Sequence, residues 1–149
     1  MNIQNIIIRQ LKETDRENWT KLFINYAEFY EVKITDEIIN NVWNWVHSKE
    51  HELEAIVAEL ESEIIAFAHY RRMPSPLRGK DIGFLDDLYV SVDYRGNKIA
   101  KKLILKLKEI SAEKNWNLIR WITRDNNFRA KKVYDEISTL SNWDVYELD

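Results

Sequence analysis

Arg95 and Gly96, followed by Lys98, Lys101 and Lys102, place an arginine–glycine turn and three ammonium groups at the start of a helix. The first backbone N–H groups of a helix have no acceptor within it, and the helix dipole is positive there. Three lysines at that end break a local rule, and such breaks concentrate at functional sites. Together with the glycine turn they suit a phosphate or pyrophosphate. The alternative is a solvated lysine face on an amphipathic helix. Just upstream, Asp86-Asp87 supplies two carboxylates, and Tyr134 supplies a phenol on a later helix. A carboxylate can take a proton and a phenol can give one. Taken alone, the carboxylates read as a solvated strand end and Tyr134 as a tyrosine packed on a sheet.

These groups need elements to hold them. Residues 84–90 form a short apolar and aromatic run, read as a buried strand. After the turn, Ile99, Ala100, Leu103, Ile104, Leu107 and Ile110 recur at helical spacing and give one face that packs on a sheet. Earlier, Ile6-Ile7-Ile8 suits a first strand, and Thr14 with Glu17 has the spacing of a capping box. Trp19, Leu22, Phe23, Tyr26 and Phe29 or Tyr30 then follow a helical period. A second helix starts at Thr35, with Ile38, Val42, Trp45 and Val46 as its apolar face. Residues 53–60 and 64–70 read as an antiparallel hairpin turning at Glu61-Ser62-Glu63, and residues 73–83, which hold both prolines, read as a long loop. Residues 118–123 form a further strand, Ala130, Val133, Tyr134 and Ile137 a last helical face, and residues 143–148 a final strand. The predicted order is β-α-α-β-β-β-α-β-α-β, without repeat or linker.

Composition bounds the rest. The 149 residues, 45% hydrophobic with six tryptophans, suit one domain spanning 1–149. A formal net charge of −3 provides no overall basic field for nucleic acid. The chain has no cysteine, so it has no disulfide, thiolate metal cluster or cysteine nucleophile, which is compatible with a reducing cytosol. Met1-Asn2-Ile3-Gln4-Asn5 lacks signal-peptide features, and no apolar run reaches membrane-spanning length. A cytoplasmic protein with no membrane partner is expected.

The run Val90-Ser91-Val92-Asp93-Tyr94-Arg95-Gly96-Asn97-Lys98-Ile99-Ala100, followed by Lys101-Lys102-Leu103, resembles the acetyl-CoA-binding motif of the GNAT superfamily of N-acetyltransferases. That signature is Gln or Arg, two residues, Gly, one residue, then Gly or Ala. Arg95 and Ala100 match it, while Lys98 stands where the pattern has glycine and either crowds the pyrophosphate loop or adds a cation to it. Asn127, Ala130 and Tyr134 resemble the late Asn-x-x-Ala-x-x-x-Tyr motif. Leu85-Asp86-Asp87-Leu88-Tyr89-Val90 and residues 121–127 are similar to the diamine and polyamine acetyltransferases. The resemblance covers essentially the whole chain and implies an α/β (α+β) fold with a mixed, mostly antiparallel central sheet flanked by helices.

It also implies acetyl-CoA as cosubstrate and a primary amine as acceptor, with direct transfer in a ternary complex and no metal. The small-molecule choices are polyamine, diamine or amino acid, with an aminated antibiotic also open. The alternatives are a protein lysine or N-terminus as acceptor, or a sensor that binds acetyl-CoA without turnover. Carried over residue by residue, Asp86 is the base and Tyr134 the acid. Backbone groups of Leu88, Tyr89 and Val90 pair with the pantetheine arm, Arg95, Gly96, Asn97, Lys98, Ile99, Ala100 and Lys101 cradle the pyrophosphate, and Asn127 bonds the cofactor. Phe29, Tyr30, Asp86 and Asp87 face the acceptor. The subgroup is often homodimeric, and the aromatic segment 143–146 offers an edge for a second copy. One competing pattern, His47-Ser48-Lys49-Glu50-His51, fits a zinc-peptidase motif, but it falls at the expected end of a helix. His69 reads as a strand residue.

Overall fold

The computed structural model describes residues 3–149; Met1 and Asn2 lie outside them. Its elements are β1 (Ile7–Gln10), α1 (Arg16–Phe29), α2 (Asp36–His47), β2 (Leu53–Leu60), β3 (Glu63–Ser75), β4 (Lys80–Val90), α3 (Ile99–Glu113), β5 (Ile119–Trp121) and α4 (Phe128–Ile137). The five strands form one sheet in sequence order. β1 to β4 pair antiparallel, and β5 joins β4 in parallel. The mixed, mostly antiparallel architecture matches the expectation.

Alternation along the central strands builds two cores. Ile56, Ala58, Ala66, Ala68 and Leu85 meet Ile99, Leu103, Leu107 and Ile110 of α3 on one face. Val57, Phe67 and Tyr89 meet Trp19, Leu22 and Phe23 of α1 and Ile39, Val42 and Trp43 of α2 on the other. Each fully buried leucine, isoleucine or phenylalanine contributes roughly 1.5–3 kcal/mol. These two layers therefore fix where α1 and α3 sit relative to β4.

The β2–β3 turn works without glycine. Glu61 and Ser62 both take positive φ, 51° and 67°, as a two-residue turn matched to strand twist requires. The expected loop at 73–83 is instead a hairpin arm. β3 runs on to Ser75, Pro76–Arg78 forms a short turn, and Gly79 closes it at φ +63° before β4 begins. Pro74 is tolerated because β2 pairs with β3 only as far as Arg71, so Pro74 lies where β3 is an edge and its missing N–H costs no ladder bond there.

Three further expectations are corrected. The Thr14 cap does not form; a short turn over Glu13–Asp15 precedes α1, and the Asp15 carboxylate is held by Arg9 at 2.8 and 2.9 Å and by the Lys12 N–H at 2.8 Å. On α2, capped as expected by Thr35 Oγ1 accepting from the Ile38 N–H, the buried face is Ile39, Val42 and Trp43, while Ile38 and Trp45 are exposed. Apolar residues flank both sides of that helix, so its period fits two faces and contact with β2 selects one. The strand expected at 143–148 is absent: among the described residues no strand pairs with this segment, and Tyr146 and Leu148 stay 92% and 100% exposed.

Candidate active site

The site begins where the sheet opens. β3 and β4 stay paired as far as Ala66 and Val90, but β5 pairs only with Gly83, Phe84 and Leu85. From residue 86 to 90 the β5-facing backbone edge of β4 therefore has no strand, and its polar groups, apart from the Val90 carbonyl that accepts from Arg95, are available to an extended ligand. Leu88 and Val90 direct their side chains to the α3 core and Tyr89 to the α1 core, so this open edge is held from both sides.

A β-bulge arranges the carboxylates. His69 lies opposite Asp87 but Tyr70 lies opposite Leu85, which makes Asp86 the extra residue. Regular alternation would send Asp86 and Asp87 to opposite faces. With the bulge, Asp87 meets His69 and Tyr26 of α1, and Asp86 meets Arg71, two residues beyond His69 on the same face. The Trp19 indole N–H donates to His69 Nε2 at 3.0 Å, which requires the imidazole proton on Nδ1. That N–H donates to Asp87 Oδ2 at 2.9 Å, and both Trp19 and His69 are fully buried.

The two acids are pushed apart. Burial raises the Asp87 carboxyl, but the hydrogen bonds from His69 and Tyr26 outweigh it and hold the group below its ordinary value. Burial also raises Asp86, and there it prevails over the Arg71 Nε–H bonds at 3.0 and 3.2 Å, with the Asp87 charge adding to it. Asp87 is thus a fixed anion, and Asp86 is the carboxylate with the greater proton affinity. On α4, Tyr134 packs edge-on against Trp121 at 5.3 Å, and burial, with Tyr30 nearby, pushes its hydroxyl up to about 12. It remains a protonated donor at neutral pH.

The turn before α3 ends in open N–H groups. Gly96 has φ +83°, and Lys98, the residue before α3, sits at φ +60° in the left-handed region that favours glycine. This explains the glycine in the pattern that Lys98 replaces. The first helical bond across the junction runs from the Lys102 N–H to the Lys98 carbonyl, so the N–H groups of Ile99, Ala100 and Lys101 have no acceptor in α3, and no side chain caps it. Arg95 is turned away from that end: its Nε–H donates to the Val90 carbonyl at 3.2 Å, and its guanidinium lies over Tyr89 and Phe29. Asn97 donates to the Tyr94 carbonyl at 2.9 Å and braces the turn. Asn127 Oδ1 accepts from the Ala130 N–H and caps α4, which leaves its amide N–H₂ for a ligand.

Of the residues expected to face the acceptor, Tyr30 packs on Tyr26 at 5.0 Å and lines a cavity, whereas Phe29 is exposed and covers Arg95. His69, Tyr26, Arg71 and Arg124 were not legible as site residues. The signal for His69 and Arg71 is the bulged register of β3 on β4, and for Tyr26 the packing of α1 on that face, neither of which any spacing in the sequence encodes. His47 and His51 do not share a helix face. α2 ends at His47, whose Nδ1 pairs with the Trp43 carbonyl, while His51 accepts from the Leu53 N–H and stacks on Trp45. Among the described residues no group of three potential metal ligands converges, and no helix is long and apolar enough to cross a membrane.

Comparison with known proteins gives the same picture. The profile of the Acetyltransferase (GNAT) family matches residues 10–137. The thialysine N-epsilon-acetyltransferase of Bos taurus is 26% identical, over 97% of this chain and 92% of that protein. The D-amino-acid N-acetyltransferase HPA3 of Saccharomyces cerevisiae is 22% identical, over 95% and 89%. An aminoglycoside N-acetyltransferase, AAC(6')-Iy, solved in complex with CoA, superposes with a TM-score of 0.80 at 18% identity, covering 97% and 95%, which shows a shared fold.

Proposed function

This chain belongs to the GNAT acetyltransferase family and is an N-acetyltransferase; from that premise we propose that it moves the acetyl group of acetyl-CoA directly to the primary amine of a small molecule in a ternary complex. The observation that carries the reading is the opened β4 edge lying between a bulge-paired carboxylate site and a helix start with unpaired N–H groups. The residues fit acetyl-CoA. Backbone groups at Leu88, Tyr89 and Val90 suit an amide-bearing arm, and the N–H groups at Ile99, Ala100 and Lys101, with the nearby lysines, suit its pyrophosphate. Asn127 offers its amide N–H₂. When bound, acetyl-CoA supplies the activated acyl carbon.

An amine protonated in water cannot attack a thioester. Asp86 takes the ammonium proton, directly or through one water, while Asp87, fixed by His69 and Tyr26, holds the cation in place. The amine nitrogen then bonds to the acyl carbon as the carbon–sulfur bond breaks, and it gives up its second proton to solvent as the amide forms. Tyr134 gives its proton to the departing sulfur and regains one from solvent. Relatives named for thialysine and D-amino acids favour a small amine over a protein acceptor. The test is CoA release from acetyl-CoA across a panel of amines, amino acids and peptides; turnover on peptides alone would reject the small-acceptor reading.

A homodimer belongs to the same proposal. Leu140, Trp143, Val145, Tyr146 and Leu148 are exposed along residues 140–148, and β5 has β4 as its one sheet neighbour. A second copy that accepts this segment would cover both. Light scattering should give twice the chain mass, and truncation after Ser138 should return the monomer.

A further inference from the structure

A cavity of about 350 Å³ opens beside the carboxylate site, between α1, the connection to α2 and the segment after β5. It is joined to that site by one side chain: Tyr26 forms part of its wall and also bonds Asp87. The remaining wall is apolar, made by Phe23, Ala27, Val32, Ile34 and Ile38 with the ring of Tyr30. Val32 and Ile38 keep 54% and 39% exposure at its mouth, so apolar surface is left uncovered there.

Among the described residues the only charged group lining it is Arg124. Its guanidinium lies 5.0 Å from the Tyr30 ring and donates one N–H to the Tyr30 carbonyl at 3.3 Å. Arg124 has no carboxylate partner among the described residues, so most of its planar donor fork is unused. Such a fork matches a carboxylate. A polyamine fits poorly, because a second ammonium would enter an apolar wall beside a fixed cation, and burying an unpaired charge is costly.

Resting on the acetyl-transfer reading, we propose that the cavity selects amino acids with apolar side chains: the amine lies at Asp86 and Asp87, the side chain fills the apolar wall, and Arg124 holds the carboxylate. Arg124 is then the specificity-determining residue, and polyamines are poor acceptors.

The test compares phenylalanine, phenylalaninamide and spermidine by CoA release. The native enzyme should show the highest kcat/KM for phenylalanine. In Arg124→Gln, the ratio of kcat/KM for phenylalanine to that for phenylalaninamide should fall roughly ten- to hundredfold, the scale of one charged hydrogen-bonding pair. Val32→Glu, at an exposed position, should shift preference toward spermidine. A native preference for spermidine, or an unchanged ratio in Arg124→Gln, overturns the proposal. Absence of turnover on every acceptor, with acetyl-CoA binding intact, would reject the transferase reading instead. The pocket is then judged by calorimetric titration of N-acetylphenylalanine into the CoA complex: affinity lost in Arg124→Gln supports it, and no binding or equal binding overturns it.

Discussion

Lys98 is the one position where the chain departs from the pyrophosphate-loop pattern, and its backbone makes that departure measurable. At φ +60° its Cβ is in the left-handed region, which costs an L-residue about 1–2 kcal/mol. Glycine removes that strain but brings back about 0.5–1 kcal/mol of unfolded-chain freedom. Lys98→Gly should therefore stabilise the protein by about 0.5–1 kcal/mol net, or raise Tm by roughly 1–4 °C for a domain of this size. Lys98→Ala is the control, since it removes the same exposed charge but keeps the Cβ and hence the strain. Thermal and urea unfolding of the three proteins should rank glycine above lysine and alanine, with the latter two close together. Calorimetry with acetyl-CoA separates the charge: both variants should bind somewhat more weakly at low salt, with a difference that fades as salt rises. A glycine variant no more stable than the alanine variant would refute the claim that the loop is strained at Lys98.

Tyr134→Phe should keep acetyl-CoA affinity near the native value and lower turnover by roughly two to four orders of magnitude, the scale of losing a positioned acid; full turnover would reject that role. Asp86→Asn should lose most rate between the raised pKa of the Asp86 carboxyl and that of the amine, because the base is ionised there and the amine still carries its proton. Its deficit in a pH–rate profile should narrow as free amine appears at high pH. Asp15 controls stability: burial raises its carboxyl, the Arg9 and Lys12 bonds lower it further, and the net value lies below the ordinary 3.8. A lowered folded-state pKa contributes stability above the unfolded value and loses it as pH falls through the folded one. Asp15→Asn should therefore cost roughly 2–3 kcal/mol near neutral pH, less than for a fully buried pair because the Arg9 side chain keeps 17% exposure. By urea unfolding, that difference should close below about pH 3.8.

The sequence by itself determined the central strands, the helices and the turn before α3, because these rest on local signals. The helical period through Ile99, Leu103, Leu107 and Ile110 names the face that α3 buries, and Thr35 names the start of α2. The Arg95-Gly96 turn is likewise legible from residue types at fixed spacing, whereas the capping of α4 by Asn127 is seen only in the structure. The tertiary structure decided whatever depends on which residues face each other across long separations. The bulge at Asp86 turns two adjacent carboxylates to one side and makes His69, read as an ordinary strand residue, the buried partner of Asp87. The hairpin arm over 73–83 follows from strand register, which overrides the loop signal of two prolines. The alternation at 143–148 has the pattern of a strand, but backbone groups form a strand only beside a partner, and the single chain places none there. Arg124 is 94 residues from Tyr30, whose carbonyl it meets. A charge and an apolar wall that far apart in sequence become one cavity only when the sheet carries β5 past α1.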